Sequence, residues 1–499
     1  MSGLLTGLSV ALQPINLLFC FAGVFLGTLV GVLPGIGPVT AMALLLPITI
    51  GAPPESGIIL LAGIYYGSMY GGSTTSILIN VPGEAASVVT CLDGHQMARN
   101  GRAGPALAIA AIGSFIAGTF AVVAMSIVSA PLARAALMLA PADYVGLMVL
   151  GLVMVSFISS GSVANAILTA SLGIVLGLAG IDTMSGVSRF TFDRPELLEG
   201  IDVITLVVGL FGISEVLQNL EHSVQRRLVT DTIGRVMPSR EDWRRSRGPI
   251  ARGSLLGFLL GLLPGGGAVL ASFASYGLEK RWSKTPEQFG KGAVEGLAGP
   301  ESANNAAATA AFIPLLTLGI PPNVVLGILL GALIIQGIQP GPLLMVNNPG
   351  VFWGVVASMY IGNLMLLVLN LPLVGLWIQL LRVPYGVLFP MILVFCVIGV
   401  YGTTGSTFQL GLMTAFGILG YLLRRTGYDL APLILGFVLG PLLEANLRRT
   451  LIASDGDWSY LLTRPVGLAC LLLALALIIA AALPAIKARR ETFGPADQG

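Results

Sequence analysis

Two short Pro-Gly loops lie inside long apolar stretches, where a membrane helix would be expected to continue. The first loop, residues 34–37, interrupts an uncharged stretch from about residue 15 to 50, and the second occupies residues 264–267. Proline removes a backbone donor and glycine permits positive φ, so each loop favours a break between two half-helices. The second half-helices are expected to begin at Pro38 and Ala268. Each loop is therefore predicted to be the tip of a re-entrant hairpin whose backbone lines a cavity.

The chemistry that such tips could perform is anion binding. A helix N-terminus carries free N–H groups and the positive end of the helix dipole, and both attract negative charge. No Lys or Arg lies in an expected span, so a bound anion would depend on these donors and on nearby hydroxyl and amide groups. The candidate substrate-binding residues are Pro34, Gly35, Ile36, Gly37, Ser73, Thr74, Thr75, Ser76, Pro264, Gly265, Gly266, Gly267, Ser302, Asn304 and Asn305.

The same polar groups could hold a cation. Hydroxyl, amide and freed carbonyl oxygens can coordinate a desolvated Na+, and the candidate ligands are Thr75, Asn304 and Asn305. The hydroxylated run 73–76 is equally typical of polar helix packing. The pair Asn304-Asn305, next to a break expected at Gly299-Pro300, is a stronger signal, because amides are costly in lipid. Glu84 and Glu301 are expected near membrane boundaries, and a proton-relay role for them is the less favoured alternative.

Composition defines the class of protein. Hydrophobic residues make up 55% of the chain and charged residues 10%, which indicates an integral membrane protein. The apolar runs are too long for barrel strands, so an all-α bundle of about 10–12 spans is expected. A net charge of +2 gives no indication of nucleic-acid binding, and four scattered cysteines suggest neither a metal site nor a disulfide framework.

The chain is predicted to contain an internal repeat. Five residues of the first hairpin recur 230 positions later in the second; they are Gly27, Gly31, Pro34, Gly35 and Gly37, matched by Gly257, Gly261, Pro264, Gly265 and Gly267. Weaker matches continue downstream, with the offset drifting to 247 at Gly180 and Gly427. The glycines of the hairpin stems lie four apart, a spacing typical of close helix packing.

The predicted organisation is two membrane repeats and a C-terminal segment. The first repeat covers 1–250, with its hairpin at about 15–50, and the second covers 251–450, with its hairpin at about 253–278. A transmembrane helix and a cytoplasmic tail are expected within 451–499.

Basic residues suggest that the repeats are inverted. Cytoplasmic connections carry an excess of Lys and Arg. The first hairpin has no basic flank, whereas the second lies between residues 226–252 and 280–291, which are rich in Arg and Lys. The hairpins are therefore expected to enter from opposite faces. A count of the membrane crossings along the chain agrees with this orientation if residues 324–345 do not cross the membrane fully. The count places Arg448 and Arg449 on the outer face, although basic residues are typical of the cytoplasmic face.

Inverted repeats with broken helices are the architecture of secondary transporters, in which two conformations give alternating access to one site. Elevator movement of a hairpin-bearing domain is an expectation by analogy. A passive anion channel is the alternative. An intramembrane enzyme is disfavoured, because no acid pair or Ser–His pair lies within an expected span.

The sequence resembles the large permease subunit of the bacterial tripartite tricarboxylate transporters. The motifs that carry the resemblance are GVLPGIGP (31–38), YGGSTTSILINVPGEAASVVTCLDGHQMARNGRAG (70–104), GLLPGGGAVLASFASYGLEKR (261–281) and GPESANNAAATAAFIPLLTLGIPP (299–322). They occur in order along nearly the whole chain.

This resemblance implies a multi-pass permease of the bacterial inner membrane and not an enzyme. Its implied partners are a small membrane subunit and a periplasmic solute-binding protein that delivers a di- or tricarboxylate such as citrate. Uptake would be driven by an ion gradient, usually Na+, with no other cofactor. A homodimer is left open.

Overall fold

A computed structural model describes residues 2–33, 37–159, 162–182, 184–221, 236–263, 265, 267–380 and 385–482. This part of the chain is mostly helical, as the sequence predicts, and its one two-stranded ribbon pairs Gly180–Ile181 with Ser188–Arg189. The helices of the first half are α1 (Ser2–Ala11), α2 (Pro14–Val32), α3 (Pro38–Ile50), α4 (Pro54–Ile79), α5 (Val88–Met97), α6 (Ala103–Ala136), α7 (Pro141–Ile158), α8 (Val163–Gly177), α9 (Val203–Val207) and α10 (Ser214–Glu221).

The second half is built in the same way, with short helices interspersed among long ones. Its helices are α11 (Arg240–Gly261), α12 (Gly267–Trp282), α13 (Val294–Ala310), α14 (Phe312–Leu318), α15 (Val324–Ile335), α16 (Leu344–Asn347), α17 (Pro349–Asn370), α18 (Val374–Leu380), α19 (Tyr385–Thr404), α20 (Thr407–Arg425), α21 (Ala431–Ala453), α22 (Tyr460–Thr463) and α23 (Pro465–Ala482).

Helix length separates the elements that can span a bilayer from those that cannot. Five helical stretches among the described residues are long and apolar enough to cross, and six further apolar helices are shorter. A helix rises about 1.5 Å per residue against a hydrocarbon core of about 30 Å. The 12 residues of α15 are therefore too short for a full crossing, a point that the sequence left open. The structure is that of a multi-pass helical membrane protein.

Two helices form the centre of the bundle. Every residue of α4 from Ser56 to Ile79 is buried, although its second half is rich in glycine and hydroxyl groups. In α13 every residue except Glu295 is buried. Polar side chains on these two helices are therefore removed from both lipid and water, which is where a buried polar site can be built.

The hairpin stems pack on these central helices through glycine. A Cβ placed on Gly27 of α2 would lie 2.5 Å from the carbonyl oxygen of Ile64 in α4. A Cβ on Gly257 of α11 would lie 2.2 Å from the carbonyl oxygen of Ala303 in α13. Any side chain would push the helices apart, so the close packing predicted for the stems is confirmed.

This packing recurs at a constant spacing. Gly23, Gly27 and Gly31 face the carbonyls of Leu60, Ile64 and Ser68, while Gly253, Gly257 and Gly261 face those of Gly299, Ala303 and Ala307. The three glycines recur after 230 positions and their three carbonyl partners after 239. The two helix pairs are thus built on one packing pattern.

The break expected at Gly299-Pro300 is wrong. Both residues lie inside the continuous helix α13, and the chain leaves its helical course only after α14, at Gly319. A proline within a membrane helix is tolerated where neighbouring helices hold the chain in place, and α13 is buried among α4, α6, α11 and α12.

Candidate functional site

The hairpin tips are partly outside the described residues. Among the predicted site residues, Pro34, Gly35, Ile36, Pro264 and Gly266 lie there. The flanking helices are placed: α2 ends at Val32 and α3 begins at Pro38, as predicted, with Gly37 as its N-cap and no side-chain cap.

The second tip is held by the chain that follows α14. Gly265 has a φ of +95° and donates its N–H to the carbonyl oxygen of Pro322 at 2.7 Å. The Gly267 position lies against Gly261 of the stem. The first hairpin has a similar contact with the chain that follows α4. A Cβ at Gly83 would lie 2.3 Å from the carbonyl oxygen of Gly31 in the α2 stem. Each hairpin is therefore in contact with the break that ends the helix packed against it.

These two breaks have the same backbone form. Helix α4 ends at Asn80 (φ 59°) and α14 at Gly319 (φ 72°), both left-handed. Four residues later, Glu84 and Asn323 each cap the next helical turn, with φ/ψ of −153°/164° and −153°/172°. Both related pairs are separated by 239 positions, the spacing found for the carbonyl partners of the glycines.

The two capping residues reach across to each other's half of the chain. Asn304 Nδ2 on α13 donates to Glu84 Oε1 at 3.0 Å, and Asn323 Nδ2 donates to the hydroxyl oxygen of Tyr65 on α4 at 3.0 Å. Tyr65 and Asn304 are again 239 positions apart. If residue 84 of one unit meets residue 304 of the other, a two-fold relation requires that 323 meet 65. The two contacts satisfy that relation.

A second crosswise pair lies one residue further along each central helix. Asn305 Nδ2 donates to Ser114 Oγ on α6 at 2.6 Å. Tyr66, which corresponds to Asn305 at the same spacing, lies against α17, where a Cβ at Gly362 would be 2.2 Å from the Tyr66 hydroxyl oxygen. The halves are therefore in contact along both α4 and α13.

A buried carboxylate lies where α4, α5 and α13 meet. Glu301, 1% exposed, accepts a hydrogen bond from Ser73 Oγ at 2.5 Å and another from the Thr90 hydroxyl. The half-buried Glu84 is close by, because Asn304 on the same face of α13 bonds to it. The structure thus brings the predicted residues Ser73 and Asn304 together around two carboxylates.

The other predicted polar residues are engaged elsewhere or face other helices. Thr75 and Ser76 both donate to the Gly72 carbonyl of their own helix, at 2.8 and 2.9 Å. Thr74 is buried on the same helix. Ser302 is fully buried, its hydroxyl has no hydrogen-bond partner among the described residues, and a Cβ at Gly113 of α6 would lie 3.1 Å from it. None of these four bonds to either carboxylate.

Glu84, Thr90 and Glu301, which the structure places around this centre, are not among the candidate binding residues that the sequence indicates. Glu301 and Asn304 are three positions apart on one helix, so they share a face, and this spacing is visible in the sequence. The expectation of a boundary position concealed the signal, since a carboxylate at the water interface needs no partner. Thr90 could not be found, because only the fold brings α5 against α13.

Charged residues at the ends of the bundle pair in two groups. Seven ion pairs of 3.0 Å or less join residues more than 20 positions apart in the described part of the chain. They are Arg102–Asp242, Arg245–Glu295, Arg252–Glu279 and Arg424–Glu215 on the predicted cytoplasmic face, and Arg448–Asp182, Arg189–Glu444 and Arg464–Asp143 on the opposite face. Each of the seven joins two parts of the chain that the count of crossings places on the same face.

The outer group gives Arg448 a structural role. Its guanidinium binds Asp182 at 2.8 Å and Glu444 at 2.7 Å. The Ser185 hydroxyl and Arg448 hold the pKa of the Asp182 carboxyl well below its usual range. An arginine on the less basic face is thus tied into a local network that closes the ribbon 180–189 onto α21.

This fold and site define a multi-pass membrane protein with a buried, oxygen-rich centre between two interlocking helical units. Residues 17–435 match the Tripartite tricarboxylate transporter TctA family. The chain belongs to this family, which is a family of transporters.

Two relatives come from Agrobacterium vitis. An uncharacterized 52.8 kDa protein in the TAR-I ttuC' 3' region is 52% identical over 490 residues, 98% of each chain. An uncharacterized protein in the TAR-II ttuC' 3' region is 55% identical over 235 residues, 47% of this chain and 97% of its own. No solved structure matches the chain.

Proposed function

We propose that this protein is the large permease of a tripartite system that takes up di- and tricarboxylates across the bacterial inner membrane. Uptake is driven by a cation gradient, with Na+ as the coupling ion, and the partners are a small membrane subunit and a periplasmic solute-binding protein. The family match supports the substrate class and the partners.

The proposed mechanism is alternating access between two inverted repeats, about 1–250 and 251–450, with the C-terminal helix outside them. The single observation that carries it is the crosswise pairing of Glu84 with Asn304 and of Asn323 with Tyr65. Two units joined by such a relation can exchange conformations, so that a site between them opens first to one face and then to the other. The face-matched ion pairs support the inversion.

The substrate is proposed to bind between the two hairpin tips, at residues 34–37 and 264–267. Free N–H groups in the first turn of α3 and of α12 would receive its carboxylates. The hydroxyl and amide groups of Ser73, Thr74, Ser302 and Asn304 complete the polar surroundings. An elevator movement of the hairpin-bearing unit would carry the bound substrate across.

Uptake into proteoliposomes tests the proposal. The permease is reconstituted with its small membrane subunit and supplied with the binding protein loaded with labelled citrate or succinate. We expect accumulation above the external concentration under an inward Na+ gradient, and none when the gradient is dissipated. Flux that only equilibrates the label would establish the passive channel instead. Absence of any flux with di- and tricarboxylates would refute the proposal.

A further inference from the structure

We propose that Glu301, Glu84, Ser73, Thr90 and Asn304 form the binding site for the coupling cation, and that this cation is Na+. This inference rests on the proposed function only where it says that the cation drives transport. The site itself stands on its geometry and can be tested without any carboxylate substrate.

The first argument is charge. Glu301 is 1% exposed, and neither it nor Glu84 forms an ion pair with a basic side chain in the described part of the chain. Asn304 bonds to Glu84 from the same face of α13 that carries Glu301, so the two carboxylates lie near each other. Burying one unpaired carboxylate is costly, and two near each other cost more. A bound cation removes this cost.

The second argument is the chemistry of the ligands. The two carboxylates accept hydrogen bonds from the hydroxyls of Ser73 and Thr90, the amide nitrogen of Asn304 and the backbone N–H of Ala86. The two hydroxyls and the Asn304 amide also carry oxygens that can ligate a cation. Hard cations prefer such ligands, and a hydroxyl can turn a lone pair towards a metal ion. No cluster of three or more His, Cys, Asp or Glu occurs among the described residues, so the set does not suit a transition metal.

The third argument is an acceptor without a donor. Asn304 is 1% exposed, and its Nδ2 is bound to Glu84, yet its Oδ1 has no hydrogen-bond partner among the described residues. Buried acceptors are normally satisfied. A proton on Glu301 would leave this oxygen as it is, whereas a metal ion beside Glu84 would use it. This favours Na+ over H+.

The position of the site links the ion to the moving parts. The turn Ala85–Ser87, which follows Glu84, packs against α12 of the second hairpin. The preceding Gly83 lies between Gly31 of the first hairpin stem and Gly72 of α4. Displacing either hairpin against α4 and α13 would therefore disturb the ligands, and a bound cation would favour the arrangement seen here.

This assignment replaces two of the Na+ ligands expected from sequence. The hydroxyl of Thr75 is bonded to the Gly72 carbonyl, and the amide nitrogen of Asn305 is shared between Ser114 and the Glu301 carbonyl. Only Asn304 remains from the expected set. The carboxylates supply the negative charge that the expected set lacked.

The test is binding of 22Na+ to the purified full-length permease in detergent, with thermal stability in NaCl compared with KCl at equal ionic strength. We expect saturable 22Na+ binding and a higher Tm in NaCl. Glu301→Gln removes the negative charge and keeps the shape of the side chain. For a carboxylate about 4 Å from the bound cation, loss of the charge should weaken 22Na+ binding by about a hundredfold or more. Glu295→Gln is the matched control on α13, because its carboxylate pairs with Arg245 near the helix end; it should bind 22Na+ as the wild type does.

Ser73→Ala and Thr90→Val keep the test decisive if Glu301→Gln does not fold. Each should lower 22Na+ affinity while the protein remains monodisperse. Binding that survives all three changes would overturn the site, and so would a Tm that responds to pH but not to Na+, which would indicate a proton site. Failure of citrate or succinate uptake with 22Na+ binding intact would refute the transport proposal and leave the cation site standing.

Discussion

At the residue scale, Asn304 and Asn305 are adjacent amides with different tasks. Asn304 bonds to a carboxylate and keeps a free oxygen, whereas Asn305 joins α13 to Ser114 of α6. Hydrogen bonds to charged groups contribute about 1.5–3 kcal/mol and neutral ones about 1 kcal/mol. Both amides should therefore contribute to stability, and Asn304, which bonds to a proposed cation ligand, should also matter for ion affinity.

Alanine substitution should separate these tasks. We expect Asn304→Ala to raise the Na+ concentration for half-maximal uptake by about tenfold or more and to lower the free energy of unfolding by about 1.5–3 kcal/mol. Asn305→Ala should lower the free energy of unfolding by about 1–2 kcal/mol and leave the Na+ dependence nearly unchanged. Uptake normalised to membrane-inserted protein and Tm in detergent measure the two effects. Identical behaviour of the two variants would contradict the distinction.

The sequence could identify Ser73 and Asn304 as candidate binding residues, because a polar residue inside an apolar run can be recognised without knowing which way its helix faces. It could not identify Thr90, which follows a turn and meets Glu301 only because α5 folds back between α4 and α13. Thr75 shows the same limit of sequence-based prediction. In the sequence it resembles Ser73, but its hydroxyl bonds to the Gly72 carbonyl of its own helix, whereas that of Ser73 reaches Glu301.

At the element scale, the breaks between α2 and α3 and between α11 and α12 were predictable, because proline and glycine occur there at a fixed offset of 230. The second spacing of 239 was hidden, since the related residues differ in type: Glu84 corresponds to Asn323, and Tyr65 to Asn304. Backbone angles and contacts retain the relation where side chains have diverged. The Gly299-Pro300 break failed for the opposite reason, because burial among neighbouring helices keeps α13 continuous.

The glycine stems give a prediction at this scale. Gly27→Ala and Gly257→Ala would place a methyl group 2.5 and 2.2 Å from a carbonyl oxygen of the facing helix. Overpacking of this kind costs about 1–3 kcal/mol, so both variants should lose stability by similar amounts. Tm and urea sensitivity in detergent measure the loss.

Gly277 is the control for the glycine stems. It lies inside α12, and a Cβ there would meet nothing within 4 Å. Gly277→Ala should be neutral or stabilising by about 0.5–1 kcal/mol, because alanine loses less backbone freedom. The shared packing pattern would be wrong if all three variants behaved alike.

At the scale of the whole molecule, the ion pairs and the crosswise contacts are consistent with two hairpins that enter the membrane from opposite faces. The first hairpin has its base at Gln13, and the second has its base at Lys284. Charged partners of the second base, such as Arg252 and Glu279, belong to the basic face. The network of Asp182 and Arg448 is predicted to lie at the other face, with the first base. Two hairpins entering from opposite faces is the geometry that alternating access needs.

Cysteine accessibility tests this geometry directly. In a variant with the four native cysteines replaced by serine, Gln13→Cys and Lys284→Cys report on the two hairpin bases, while Ser459→Cys and Thr426→Cys serve as references for the outer and inner faces. All four positions are exposed in the structure. A membrane-impermeant maleimide should label positions 13 and 459 in intact spheroplasts, and positions 284 and 426 only after permeabilisation. Labelling of positions 13 and 284 from the same side would exclude inverted repeats, because a two-fold axis in the membrane plane exchanges the faces.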